Sequence, residues 1–341
     1  MESSLPASDS LKETLLDEQH LKVMKKILVA YDGSPGAEAA MQDMVRGGFP
    51  DFCEAKVLTI ADVWLPSDPP EPPFPDRVAA SRVEARRRAL DALTVAGKIS
   101  FSGAERLRHL FPKWTIHNAS HADSPAWGIL AEARRWGAGL IVIGSHGRTP
   151  LQKFFLGSVS HKVAAEASCS VRVFRSQHRN HDSELRVVVA LDGSDDSNAA
   201  FEEVLGRKWL AKAKFQLITV IDPRLNAAPI MDAGAVLPEQ VESAEDWVPS
   251  MLASRAAPLQ ERNFEVSTHI LEGDPKAALL RHAEQWKADA IFLGARGLQH
   301  GNRLYLGTFA SAIASRAHCT VEIVRPTISL AEKVQGPAEA A

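Results

Sequence analysis

A short stretch that the chain uses twice constrains its fold more than anything else in the sequence. Leu140-Ile141-Val142-Ile143-Gly144-Ser145-His146-Gly147 is followed, after nine residues, by Gly157-Ser158. Ala290-Ile291-Phe292-Leu293-Gly294-Ala295-Arg296-Gly297 is followed, at the same spacing, by Gly307-Thr308. Each copy starts as a continuous apolar run, the pattern of a strand buried on both faces. Each then empties into Gly-x-x-Gly, and a glycine–hydroxyl pair opens the next helix. A strand, a glycine loop and a helix start together make a phosphate site.

The rest of the chain repeats around these stretches. Lys26 to Asp32 reads as a buried strand ending in Asp32-Gly33-Ser34-Pro35, where Ser34 is placed to cap a helix and Pro35 to open it. A helix to about Arg46 follows, then a strand from Lys56 to Val63. The stretch from Leu65 to Pro75 holds six prolines and predicts an extended surface loop. Beyond it come a helix over Val78–Ala96, a strand over Trp114–Ala119, a helix from Ser124-Pro125 to about Trp136, the strand Leu140–Ile143, a helix over Ser158–Ala167 and a strand over Ser170–Phe174. Asp192-Gly193-Ser194 then repeats Asp32-Gly33-Ser34 at an offset of 160 residues, and the glycine loops repeat at 150. Such a period is a domain duplication, not a solenoid. The expected fold is α/β, with two tandem doubly wound domains, each a five-stranded parallel sheet flanked by helices. The domains are expected at 23–176 and 185–326, joined by a linker at 177–184, with a polar extension at 1–22 and a flexible tail at 327–341. Ligands on such sheets bind at the strand carboxyl ends, where the strand order reverses.

Composition excludes several functions. A formal net charge of −3 makes no electrostatic case for nucleic acid. No apolar run reaches the ~20 residues a membrane span needs, and no signal-peptide core stands at the start. Cys53, Cys169 and Cys319 cannot form a disulfide framework, and the matching repeat positions of Cys169 and Cys319 point to buried, inert thiols, so the expected compartment is the cytoplasm. The arginines at 82, 86, 87 and 88 read as a solvated helix face. His161 reads as a helix-surface residue, and Trp127, Trp136 and Trp286 as core or helix-packing residues.

The glycine loops carry the chemistry. At Gly144 and Gly294 a side chain would block a ligand from the backbone. Gly157-Ser158 and Gly307-Thr308 offer unpaired N–H groups and the positive end of a helix dipole to phosphate oxygens. Ser158, Ser160 and Thr308 add hydroxyls, while Arg148, Lys153, Arg296 and Arg303 add positive charge. The spacing fits neither a P-loop nor a dinucleotide fingerprint.

Asp-Gly-Ser after the first strand and Gly-x-x-Gly-x9-Gly-[Ser/Thr] after the fourth resemble the universal stress protein family, in its tandem, ATP-binding-type members. The resemblance implies the adenine nucleotide α-hydrolase-like fold and a bound ATP, ADP or AMP, with Mg2+ or Mn2+ carried by the phosphates. In the first domain it implies that Ala30 and Asp32 face adenine and that Ile60 packs on the base. Ile143 and Gly144 would line the ribose and α-phosphate, and His146, Gly147, Arg148, Gly157, Ser158, Val159 and Ser160 would hold the polyphosphate. In the second domain the matching positions are Ala190, Asp192, Val220, Leu293, Gly294, Arg296, Gly297, Gly307 and Thr308. There the chain departs from the family, with Phe309 and Ala310 in place of a small aliphatic residue and a second hydroxyl. Family dimers pair through their last strands, so Ser170–Phe174 and Thr320–Ile323 are expected to meet within the chain. The resemblance also allows a homodimer and an unidentified protein partner.

Residues 144–158 and 294–308 hold no Asp or Glu, so neither loop supplies a base or metal ligand for fast hydrolysis. The expected role is a stress-response sensor or regulator acting through nucleotide binding, with no protein metal site and at most slow ATP turnover. The alternatives are an adenylyl-transfer enzyme of the wider fold, or an interaction protein with degenerate sites. The proline-rich loop is expected to cover part of the first site.

Overall fold

The computed structural model describes residues 25–66, 76–145, 156–175, 184–223, 244–297 and 306–326, with backbone alone at 76–80 and 244–246. The first half alternates β1 (Lys26–Ala30), α1 (Pro35–Asp43), β2 (Glu54–Ala61), α2 (Asp76–Leu110), β3 (Thr115–Ala122), α3 (Pro125–Trp136), β4 (Leu140–Gly144), α4 (Ser158–Glu166) and β5 (Ser170–Phe174). The second half repeats the order. It runs through β6 (Leu185–Ala190), α5 (Asp195–Leu205), β7 (Ala213–Ile221), α6 (Ala244–Gln260), β8 (Glu265–Glu272), α7 (Pro275–Gln285), β9 (Ala290–Gly294), α8 (Thr308–Arg316) and β10 (Thr320–Val324). The sequence-legible caps are in place: Ser34 accepts the Ala37 N–H at 3.1 Å and Ser194 that of Ser197 at 3.2 Å.

The strands form one ten-stranded sheet in the order β3-β2-β1-β4-β5-β10-β9-β6-β7-β8. Within each half every pairing is parallel. Strand order reverses between β1 and β4 and again between β6 and β9, which places a crevice at each of those carboxyl ends. Every residue of β4 and β9 is buried, as their unbroken apolar runs predict.

The halves join where β5 and β10 pair antiparallel, with Arg172 opposite Glu322. One sheet face there is apolar and continuous across the join, uniting Val171, Val173, Val163 and Ala164 with Val321, Ile323, Ile313 and Ala314. The other face is ionic and buried. Arg172 reaches Glu322 at 3.0 Å and Asp43 at 2.6 Å, while Arg207 pairs with Glu322 and donates to the Gly47 carbonyl at 2.6 Å. Beyond the strands, Arg175 donates to the Ala314 and Ser315 carbonyls at 2.9 and 2.6 Å. Arg325 reciprocates on Ala164 and Cys169 at 2.7 and 3.2 Å. Each arginine thus caps the carboxyl end of the other half's helix, where a positive charge is favoured.

Helix α2 overruns its expected end at Ala96 and continues to Leu110. A helical glycine costs about 1 kcal/mol relative to alanine, yet packing overrides it here. A Cβ at Gly103 would lie 2.7 Å from the Tyr31 ring, so the small residue lets α2 close on the end of β1. Arg87 and Arg88 are exposed and pair with Glu84, as the solvated-face reading requires, whereas Arg82 and Arg86 are half-buried and Arg86 donates to the Pro66 carbonyl at 2.5 Å. Burial raises the thiol pKa of Cys53 and Cys169 to about 11 and pushes that of Cys319 up as well, which keeps all three inert. Among the described residues no helix is long and apolar enough to cross a membrane. The proline-rich stretch over 67–75, the linker up to residue 183 and both termini lie outside the described residues.

Candidate functional site

Two strand ends and one helix start build the mouth of the first domain. Leaving β1, the chain turns at Gly33, whose φ of +76° favours glycine. The turn is held from both sides. Asp32 accepts the Ser34 N–H at 3.0 Å, and the buried Thr59 hydroxyl of β2 donates to the Tyr31 carbonyl at 2.6 Å. Ala30 ends β1, and Ile60, half-buried near the end of β2, packs against Gly128 of α3. Ile143 and Gly144 end β4, beside β1.

The glycine loop is tied at its base. Ser145 donates its N–H to the Phe174 carbonyl at 2.8 Å, and Gly157 donates to the Ser145 carbonyl at 2.8 Å. Gly157 is the extended N-cap of α4, and Ser158 stands exposed in its first turn. The first N–H groups of α4 therefore face the same opening as Gly144, without intrahelical partners. Ser160 points the other way. It is buried, and its hydroxyl donates to the Gly144 carbonyl at 2.6 Å. It orients the strand end from behind and does not reach into the mouth. Residues 146–155, including His146, Gly147, Arg148 and Lys153, lie outside the described residues.

The second domain repeats the frame. Gly193 turns at φ +83°, Asp192 accepts the Ser194 N–H at 3.0 Å, and the Thr219 hydroxyl donates to the Leu191 carbonyl at 2.8 Å. Gly307 caps α8 with Thr308 exposed, while Ala310 takes the buried place of Ser160. Ala190, Val220, Leu293 and Gly294 occupy the same strand ends as their first-domain counterparts. Arg303 lies outside the described residues.

Sequence reading missed one group. Asp196, in the first turn of α5, is buried and accepts three hydrogen bonds from Arg296, one from its backbone N–H at 3.1 Å and two from its guanidinium at 2.9 and 2.7 Å. The bond to Asp196 raises the Arg296 pKa further. The loop's own span lacks a carboxylate, but the fold brings one from 100 residues away. Aligning the two copies gives the available signal, since Asp196 stands where the first half has Gly36. Among the described residues no cluster of three or more His, Cys, Asp or Glu could hold a metal ion.

The profile of the Universal stress protein family matches residues 24–175 and again 185–325. A universal stress protein of Mycolicibacterium smegmatis is 29% identical over 215 residues, covering 62% of this chain and 69% of that protein. The stress response protein NhaX of Bacillus subtilis is 26% identical over 161 residues, 41% of this chain and 97% of its own. A solved universal stress protein from Archaeoglobus fulgidus has a TM-score of 0.54 at 20% identity, covering 88% of this chain and 96% of that one.

Proposed function

The chain belongs to the universal stress protein family, with one family domain in each half, and from that premise we propose that it binds adenine nucleotide at the mouth of its first domain and works through binding in a stress response. The carrying observation is the junction of Asp32, Gly144 and the start of α4 where β1 and β4 diverge. The donor set fits the ligand. Asp32 supplies an acceptor for an adenine amino group, and Ala30 and Ile60 supply apolar contact for the base. Ile143 and Gly144 lie along the ribose and α-phosphate, while the N–H groups of Ser158 and Val159 and the Ser158 hydroxyl face phosphate oxygens. Ser160 serves by fixing Gly144. His146, Gly147 and Arg148 complete the polyphosphate cradle in this reading. A Mg2+ or Mn2+ ion arrives with the phosphates.

Binding, not rapid catalysis, follows from the side chains at this mouth. Asp32 is committed to the turn and the base, and the described loop residues offer no general base for an attacking water. Mass spectrometry of small molecules released from the purified protein is expected to find ATP, ADP or AMP. Steady-state hydrolysis is expected to be slow. An apo protein that ignores added nucleotide, or turnover near ~10 per second, overturns the proposal.

A further inference from the structure

We propose that Asp196 decides which of the two domains takes a nucleotide: its carboxylate holds the second glycine loop as a phosphate would, and so closes that mouth with the chain's own residue. This rests on the nucleotide reading of the first domain.

The two helix starts differ at one telling position. Asp192-Gly193-Ser194-Asp195-Asp196-Ser197 aligns with Asp32-Gly33-Ser34-Pro35-Gly36-Ala37. Gly36 has no side chain to send toward its loop. Asp196 sends a carboxylate on a side chain that is 6% exposed. One oxygen accepts the Arg296 backbone N–H at 3.1 Å and its Nε at 2.9 Å, and the other accepts Nη2 at 2.7 Å. A loop amide and a guanidinium are the donors a phosphate recruits, and charge-assisted bidentate pairs of this kind are the strong ones. A nucleotide entering here would have to displace an anion already in place, and would bring its own charge against Asp196.

Two neighbours complete the closure. A Cβ at Gly297 would lie 2.9 Å from Oδ2 of Asp192, so the loop rests on the acid expected to face adenine. At Gly193 a Cβ would meet the Trp247 indole of α6 at 2.4 Å, whereas at Gly33 it would meet the smaller Ile99 at 3.3 Å. The second domain keeps the backbone frame of the first and lays Asp196 and the partly exposed Trp247 against it.

Equilibrium dialysis with Mg2+ and ATP, read together with 19F spectra of protein labelled with 5-fluorotryptophan, tests this. The Trp247 resonance is assigned through Trp247→Phe. Wild type is expected to bind one nucleotide per chain and leave the Trp247 signal unmoved. Asp196→Gly is expected to bind a second and move that signal, with affinity at the second site up roughly tenfold or more, the scale of one lost charge-assisted bond. Asp196→Asn, which keeps the size and removes the charge, is expected to change in the same direction and serves if the glycine variant does not fold. Two nucleotides per wild-type chain overturn the closure and leave the first-domain reading intact. A folded Asp196→Gly or Asp196→Asn protein that still binds one also overturns it. No binding by any of the proteins sinks the nucleotide reading itself and this inference with it.

Discussion

Ser160 and Ser158 sit two positions apart on the same helix and do different work. Ser158 is exposed at the mouth, whereas Ser160 is buried against the Gly144 carbonyl. Removing a buried hydrogen bond of this kind costs about 1 kcal/mol, so Ser160→Ala is expected to lower the melting temperature by a few degrees. Its effect on ATP affinity should be smaller than that of Asp32→Ala, which removes the acceptor proposed for the base. Calorimetric titration of both variants checks the ranking, and a Ser160→Ala protein with the larger loss of affinity would return that hydroxyl to the phosphate. Ala310 acquires a new meaning from the same geometry. Its missing hydroxyl deprives the second strand end of a brace, and the aspartate on α5 is what closes that mouth.

At the level of elements, β5 and β10 carry the join. Arg172 and Glu322 face each other in register at equivalent positions of the two repeats, so they lie on the pseudo-twofold axis. Two copies of β5 meeting about the same axis would set Arg172 against Arg172, and two copies of β10 would set Glu322 against Glu322. The opposite charges thus favour pairing within the chain over pairing of like strands. Glu322 is fully buried between Arg172 and Arg207. Removing one member of a buried ion pair leaves its partner uncompensated, at about 3–5 kcal/mol. Glu322→Ala is therefore expected to lose stability on that scale in urea denaturation, and a loss below 1 kcal/mol would show that the arginines find other partners.

On the scale of the whole molecule, the apolar core on one sheet face runs through both halves, and the buried charges on the other face bridge them. The halves share a β-sheet, so neither can unfold without exposing an all-buried strand of the other. Differential scanning calorimetry of the full chain is expected to give one cooperative transition, with calorimetric and van't Hoff enthalpies in agreement. Two resolved transitions would mean that the join is weaker than its burial implies.

Local signals were sufficient for much of this. The unbroken apolar runs of β4 and β9, the Ser-Pro helix starts and the glycine spacings are written within a few residues of each other, and so the duplicated α/β unit and the place of its mouths were legible in the sequence. The inward turn of Ser160 was not read: its hydroxyl counted as a phosphate donor, although Ser160 shares one buried helical stripe with Val163 and Ala164. The length of α2 was not legible, because the close approach of Gly103 to Tyr31 and Val57 that suits a helical glycine there is tertiary. Nor was the contact between Asp196 and Arg296, since nothing local ties residues a hundred positions apart. The sequence by itself determined two mouths of the same backbone design. The tertiary structure decided that they differ, because whether a donor is free for a ligand depends on which distant side chain the fold lays against it.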